Sequence, residues 1–145
     1  LKHQPKQEYV LLTRKLGLVF LIGCIATLKD YKPKSSVEEK IKIVLVMYEN
    51  EWNKHNEAGV LALFHDRAKV MYGRERNIAS KKEYVNILPE RIAANPTIKL
   101  SAPKMSITGD KADIKVILSM GQYQSPITFY LVREKSKWLI MSWKY

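Results

Sequence analysis

Three histidines and one cysteine are the residues of this chain best suited to nucleophilic, acid–base or metal chemistry. Their spacing favours none of these. His65 and Asp66 are adjacent, as a base and its orienting carboxylate might be. Neighbours in a tight turn seldom face each other, however, so Asp66 is expected to bond local amides instead. His55 falls near the end of a helical stretch, where the helix dipole favours a cation. His3 lies far from both. A zinc site needs several such ligands brought to one point, and three scattered histidines without a Cys pair supply no such spacing. No metal and no cofactor is therefore expected. Neither a Gly-x-Ser-x-Gly nucleophile turn nor a glycine-rich phosphate loop is present. No catalytic residue is assigned.

Binding residues are easier to name. Arg74-Glu75-Arg76 can line the mouth of a pocket or sit in a solvated loop. Arg91 stands beside Leu88 and Ile92 on a helical face. Pointing inward, its guanidinium would favour an anionic ligand. Pointing outward, it would snorkel to water. Tyr48, Trp52, Tyr72, Tyr130, Trp143 and Tyr145 are core-sized aromatics, and those with buried hydroxyls need polar partners. Tyr48, Trp52, Tyr72, Arg91 and Tyr130 are accordingly candidates to line an apolar pocket.

The elements that must position them follow from periodicity. Val37, Ile41, Val44, Leu45, Tyr48 and Trp52 recur at helical spacing, capped by Ser35 or Ser36 and opened by Glu38 and Glu39. Ile43, Val46 and Met47 widen this stripe beyond what one sheet needs, so a second subunit is one expected cover. Asn56 caps a short second helix holding Val60, Leu61, Leu63 and Phe64. Residues 68–72 read as a short strand and residues 73–79 as a polar loop. Ser80-Lys81-Lys82-Glu83 is a capping box. The helix it opens carries Tyr84, Val85, Leu88 and Ile92, meets Pro89, and ends at Asn95-Pro96.

The C-terminal third is strand-forming. Met105 and Ile107 alternate with polar residues, and Ala112, Ile114, Val116, Leu118 and Met120 do the same. Gly109-Asp110 joins these two strands as a hairpin. Residues 127–132 and 138–145 are apolar at nearly every position, as strands buried on both faces would be. Four antiparallel strands in a meander, covered by helices, give an α+β fold.

Residues 1–23 stand apart. Lys2, Lys6, Arg14 and Lys15 form a basic start, and the eleven residues 16–26 are apolar or small. Eleven is too few for a helix to span a bilayer, which takes roughly 20. A basic stretch before a short apolar one is the layout of a secretory signal. Leu21-Ile22-Gly23-Cys24 resembles the lipobox of bacterial lipoproteins, which implies acylation of Cys24 and cleavage before it. The expected organisation is a signal peptide over 1–23, a lipidated tether over 24–36 and a domain over 37–145. Ile25 stands where an aspartate would mark inner-membrane retention. The expected place is thus the cell envelope, on the periplasmic side of the outer membrane in a Gram-negative cell. The formal charge is +11, and removing four cations and Glu8 with residues 1–23 leaves +8. Lys and Arg are dispersed along the chain rather than clustered with aromatics. No nucleic acid partner is expected, and attraction to anionic lipid or cell-wall polymer suits the address better.

The order of elements, with Tyr48 to Trp52, Val60-Leu61-Ala62-Leu63-Phe64, Ala68-Lys69-Val70, the capping box and Lys137-Trp138-Leu139-Ile140, resembles the nuclear transport factor 2-like superfamily. That group includes SnoaL-like proteins and ketosteroid isomerase. The resemblance covers residues 37–145. It implies a cystatin-like curved antiparallel sheet wrapped around a long N-terminal helix, a conical pocket, and frequent dimers through the sheet. Carried over residue by residue, the isomerase's helix tyrosine falls on Tyr48, its base on Tyr72 and its protonated acid on Thr128. Thr128 thereby joins the candidate pocket lining. Only the tyrosine is kept, and without a carboxylate base steroid isomerisation is not expected. The leading expectation is a lipid-anchored envelope protein whose non-catalytic pocket binds a small, partly apolar ligand. A protein–protein interaction or dimerisation module is the alternative, followed by an enzyme of unrecognised chemistry built on Tyr48 with Arg91 or His65.

Overall fold

The computed structural model describes residues 27–145. Cys24 and the lipobox lie outside the described residues.

Helix α1 (Ser36–Asn53) is started by Ser35, whose Oγ accepts from the Glu38 amide at 3.1 Å. Its buried residues are Ile41, Leu45, Tyr48 and Trp52, the i, i+4, i+7, i+11 stripe of an amphipathic helix. Asn56 caps α2 (Glu57–Leu61), accepting from the Gly59 amide at 3.2 Å. Strand β1 (Phe64–Tyr72) turns into β2 (Asn77–Ser80), with Gly73 at φ 73° and Arg76 at φ 57°. The polar loop expected over residues 73–79 is therefore a turn plus a short edge strand. Ile78, the one large apolar residue in β2, is exposed, so the stretch gives no burial signal.

Ser80 caps α3 (Lys81–Ala94), accepting from the Glu83 amide at 3.2 Å while its hydroxyl donates to Glu83 Oε1 at 2.9 Å. Pro89 is accommodated inside this helix, and Tyr84, Leu88 and Ile92 are its buried side. Strands β3 (Lys99–Thr108), β4 (Lys111–Met120), β5 (Tyr123–Glu134) and β6 (Lys137–Lys144) form the meander.

The sheet has six strands in the order β2-β1-β6-β5-β4-β3. It is mixed rather than antiparallel, because β6 returns across the molecule to lie parallel to β1. Apolar alternation fixes which face a strand buries but carries no direction, so the parallel pair left no trace in the pattern. The strands expected to be buried on both faces are buried on one. Ile127, Phe129 and Leu131 are buried, whereas Thr128, Tyr130 and Val132 on the other face are half-exposed.

Polar side chains of α1 tie it to the entry of β3. Asn53 donates to the Ile98 carbonyl at 2.9 Å and accepts from its amide at 2.8 Å, and Glu49 accepts from the Leu100 amide at 2.7 Å. Trp52 Nε1 donates to the Asn95 carbonyl at 2.7 Å, joining α1 to the end of α3.

The expected tether over 24–36 is replaced, from Thr27 on, by packed chain. Leu28 is fully buried in the core and donates its amide to the Leu100 carbonyl at 3.2 Å. Thr27 bridges Ser101 beside β3. Lys42 Nζ holds the Lys29 and Tyr31 carbonyls at 2.9 and 2.7 Å. Residues 27–31 thus pack against the domain that was expected to begin at residue 37.

Candidate functional site

The interior between α1, α3 and the sheet is nearly filled. Tyr48 packs its ring against Trp52, Phe64 and Phe129 at centroid separations of 5.9, 6.2 and 5.2 Å. Trp143 and Ile127 close the rest, and the void left beside Tyr48, Trp52 and Arg91 is about 20 Å³. That is room for about one water molecule. Among the described residues the buried polar or charged ones are His65 and Ser101, and no Asp or Glu is in the lining of the void.

A larger space opens at its mouth. A cleft of about 520 Å³ lies between the β1–β2 turn, the last turn of α3 and the β4–β5 hairpin. The turn brings Arg74 and Arg76, the helix brings Arg91 and Asn95, and the hairpin brings Met120, Tyr123 and Ser125, with Tyr145 beside them. The turn can form because Gly73 and Arg76 take positive φ. Tyr123 is presented by the hairpin turn at Gly121, also at positive φ.

Arg91, Met120 and Tyr145 link the two spaces, since each lines both the void and the cleft. Burial pushes the hydroxyls of Tyr48 and Tyr84 well above the usual tyrosine range, and the nearby Arg91 charge opposes that shift in both. Tyr84 Oη is buried and has no hydrogen-bond partner among the described residues. The same holds for Trp143 Nε1. No Asp or Glu side chain is in the lining of the cleft, and none of its three guanidiniums is in an ion pair with a side chain among the described residues. Planar guanidiniums beside phenols have the chemistry to pair with a carboxylate or phosphate carried on an apolar or aromatic body.

The expected pocket residues separate into groups. Tyr48, Trp52 and Arg91 come together at the void. Tyr72 ends β1 opposite Asn77, half-buried and outside both spaces. Thr128 and Tyr130 are on the opposite face of the sheet. Thr128 pairs across to Lys115 and Lys144, and the Lys144 ammonium sits 5.4 Å from the Tyr130 ring centre. Strand alternation puts them there, since their neighbours Ile127, Phe129 and Leu131 take the inner face. Tyr123, Asn95 and Ser125 were missed. The signal for Tyr123 was an aromatic residue directly after a Gly-containing hairpin turn.

His65 is positioned but has no cavity. Its Nδ1 accepts from the Arg67 amide at 3.0 Å, so Nε2 carries the proton it donates to Glu134 Oε2 at 2.5 Å. Asp66 turns away to Lys81 Nζ at 3.3 Å. The pair clasps the start of β1 to the end of β5.

A second groove, of about 410 Å³, runs along the outer side of α1. Ile43, Val44, Met47, Leu63 and Leu139 line it, with Lys40, Glu51 and Lys137 as its charged lining.

No family model and no curated protein matches the sequence. Solved structures do match the fold. A protein of unknown function with a cystatin-like fold from Nostoc punctiforme has a TM-score of 0.64 at 14% identity, over 75% of this chain and 90% of that one. A nuclear transport factor 2-like protein of unknown function from Pseudomonas putida has a TM-score of 0.65 at 13% identity, over 74% and 84%. A protein from Shewanella frigidimarina described as a candidate ketosteroid isomerase has a TM-score of 0.60 at 21% identity, over 75% and 98%. The fold is thus nuclear transport factor 2-like, or cystatin-like, at the level of architecture.

Proposed function

We propose that this chain is an exported envelope protein, held to the membrane by lipid on Cys24, whose domain binds a small anionic, partly apolar ligand without catalysis. The conical pocket that the resemblance implied is filled by Tyr48, Trp52, Ile127 and Trp143, so the proposed ligand site is the cleft beside it. The observation that carries this reading is the set Arg74, Arg76 and Arg91 around one cleft of about 520 Å³, none of them in an ion pair among the described residues. Lipobox-like Leu21 to Cys24 and the basic, apolar start support the address. Cys24→Ser is expected to leave the precursor uncleaved and unlabelled by radioactive fatty acid.

Binding is tested by calorimetry with small aromatic carboxylates and phosphates against their neutral amides and esters. Anions are expected to bind and neutral analogues not. A charge-assisted contact is worth about 1.5–3 kcal/mol, so Arg91→Gln should weaken binding by roughly 10- to 150-fold. Equal binding of neutral analogues, or an unchanged affinity in Arg91→Gln, would sink the reading.

The α1 groove supports a second reading, dimerisation with another copy of this chain. Ile43 and Met47 are 48% and 44% exposed. An antiparallel two-fold pairing of α1 on α1 would set Val44 against Met47 of the partner copy and Lys40 against Glu51 of the partner copy. The groove is self-complementary in both apolar character and charge.

A further inference from the structure

Lysines that are dispersed in the sequence are gathered by the fold. The sheet face turned away from α1 carries Lys69, Lys99, Lys104, Lys111, Lys115 and Lys144, all exposed. Three of them lie in one line across four strands. Lys104 is paired with Lys115, Lys115 with Thr128, and Thr128 with Lys144. At about 4.8 Å per strand, the line is roughly 14 Å long. Asp113 is the acidic residue set among them, and Glu134 at the end of β5 is taken by His65. None of the six lysines is in an ion pair among the described residues.

Lysine directly opposite lysine is unfavourable in an antiparallel pair. Protection of a sheet edge explains Lys99 and Lys104, because β3 is an edge strand. It does not explain Lys69, Lys115 and Lys144, which stand on the interior strands β1, β4 and β6. We infer that this face lies on an anionic lipid surface. Its cations are compact point charges spread over a sheet, which suits a plane of headgroups rather than individually read phosphates.

The chain's own connection points the same way. Thr27, the first described residue, bridges Ser101 between Lys99 and Lys104 on β3, so the described chain enters the fold at the margin of the lysine face. A second copy docked on this face by two-fold symmetry would set the lysine line against itself, which disfavours a sheet-to-sheet dimer. Tyr123 and Ser125 of the arginine cleft belong to the opposite face, so the docked domain keeps that cleft open. The inference does not depend on acylation of Cys24 or on the ligand proposed above.

The test is flotation of the full chain, carrying Cys24→Ser, with phosphatidylcholine vesicles with and without phosphatidylglycerol. Lys104→Gln/Lys115→Gln/Lys144→Gln is compared with Lys34→Gln/Lys54→Gln/Lys82→Gln, which removes the same charge from the turn before α1, the C-cap of α1 and α3. Each lysine near an anionic surface is worth about fivefold in partition, so the sheet triple should lose on the order of 100-fold. The comparison triple should stay within roughly threefold of the parent, and added salt should abolish the difference. Equal losses in both triples, no loss in the sheet triple, or no preference for phosphatidylglycerol would each overturn the inference. So would tighter binding of a single-stranded oligonucleotide that the sheet triple alone abolishes, since it would reassign the face to nucleic acid.

Discussion

Glu134 and His65 show how a titratable pair can be structural. The carboxylate accepts from a buried imidazole at 2.5 Å, and that contact pulls its pKa below the usual value of 4.5. The sign follows from the depressed value. The folded state favours the ionised carboxylate, so the stabilisation is present above about 4.5 and is lost as pH falls through the lower folded pKa. Glu134→Gln should therefore flatten the acid limb of stability, measured as the urea midpoint against pH. A variant with the parent's acid limb would mean the contact contributes nothing. At the cleft, Arg91 lies beside phenols rather than Asp or Glu side chains, and the proposed ligand site rests on that difference.

At the scale of elements, the buried stripe of α1 and the strand alternation were legible because burial repeats with the period of the backbone. The capping box at Ser80 and the hairpin at Gly109 were legible because their residues have few other uses. Strand β2 was not, since Asn77–Ser80 is too short to alternate and leaves Ile78 exposed. Nor was the packing before α1, where Leu28 is the buried residue in a polar stretch. Leu28→Ala tests it. Loss of a fully buried leucine costs about 2–5 kcal/mol, read by urea denaturation. A free tether over these residues would give a change near zero.

At the scale of the molecule, composition announced a basic chain but not where its charge goes. Strand register assembles the lysine face and three-element convergence assembles the arginine cleft, and neither is visible in local sequence. The expected aromatics Tyr48 and Trp52 did meet, but as filling rather than as walls, because ring volume decides whether a cone is hollow. The exposed apolar side of α1 bears on assembly. Met47→Glu should turn a dimer into a monomer in sedimentation velocity while changing the unfolding free energy of the monomer by no more than about 0.5 kcal/mol. A parent chain that is monomeric at all concentrations would remove the self-pairing.

The arginine cleft is the centre of the account, and an amide and guanidinium NMR titration with benzoate against benzamide tests it most directly. The account predicts benzoate-induced shifts concentrated at Arg74, Arg76, Arg91 and Tyr123, with benzamide silent. Shifts of equal size with benzamide, or benzoate shifts confined to α1 around Ile43 and Met47, would contradict it.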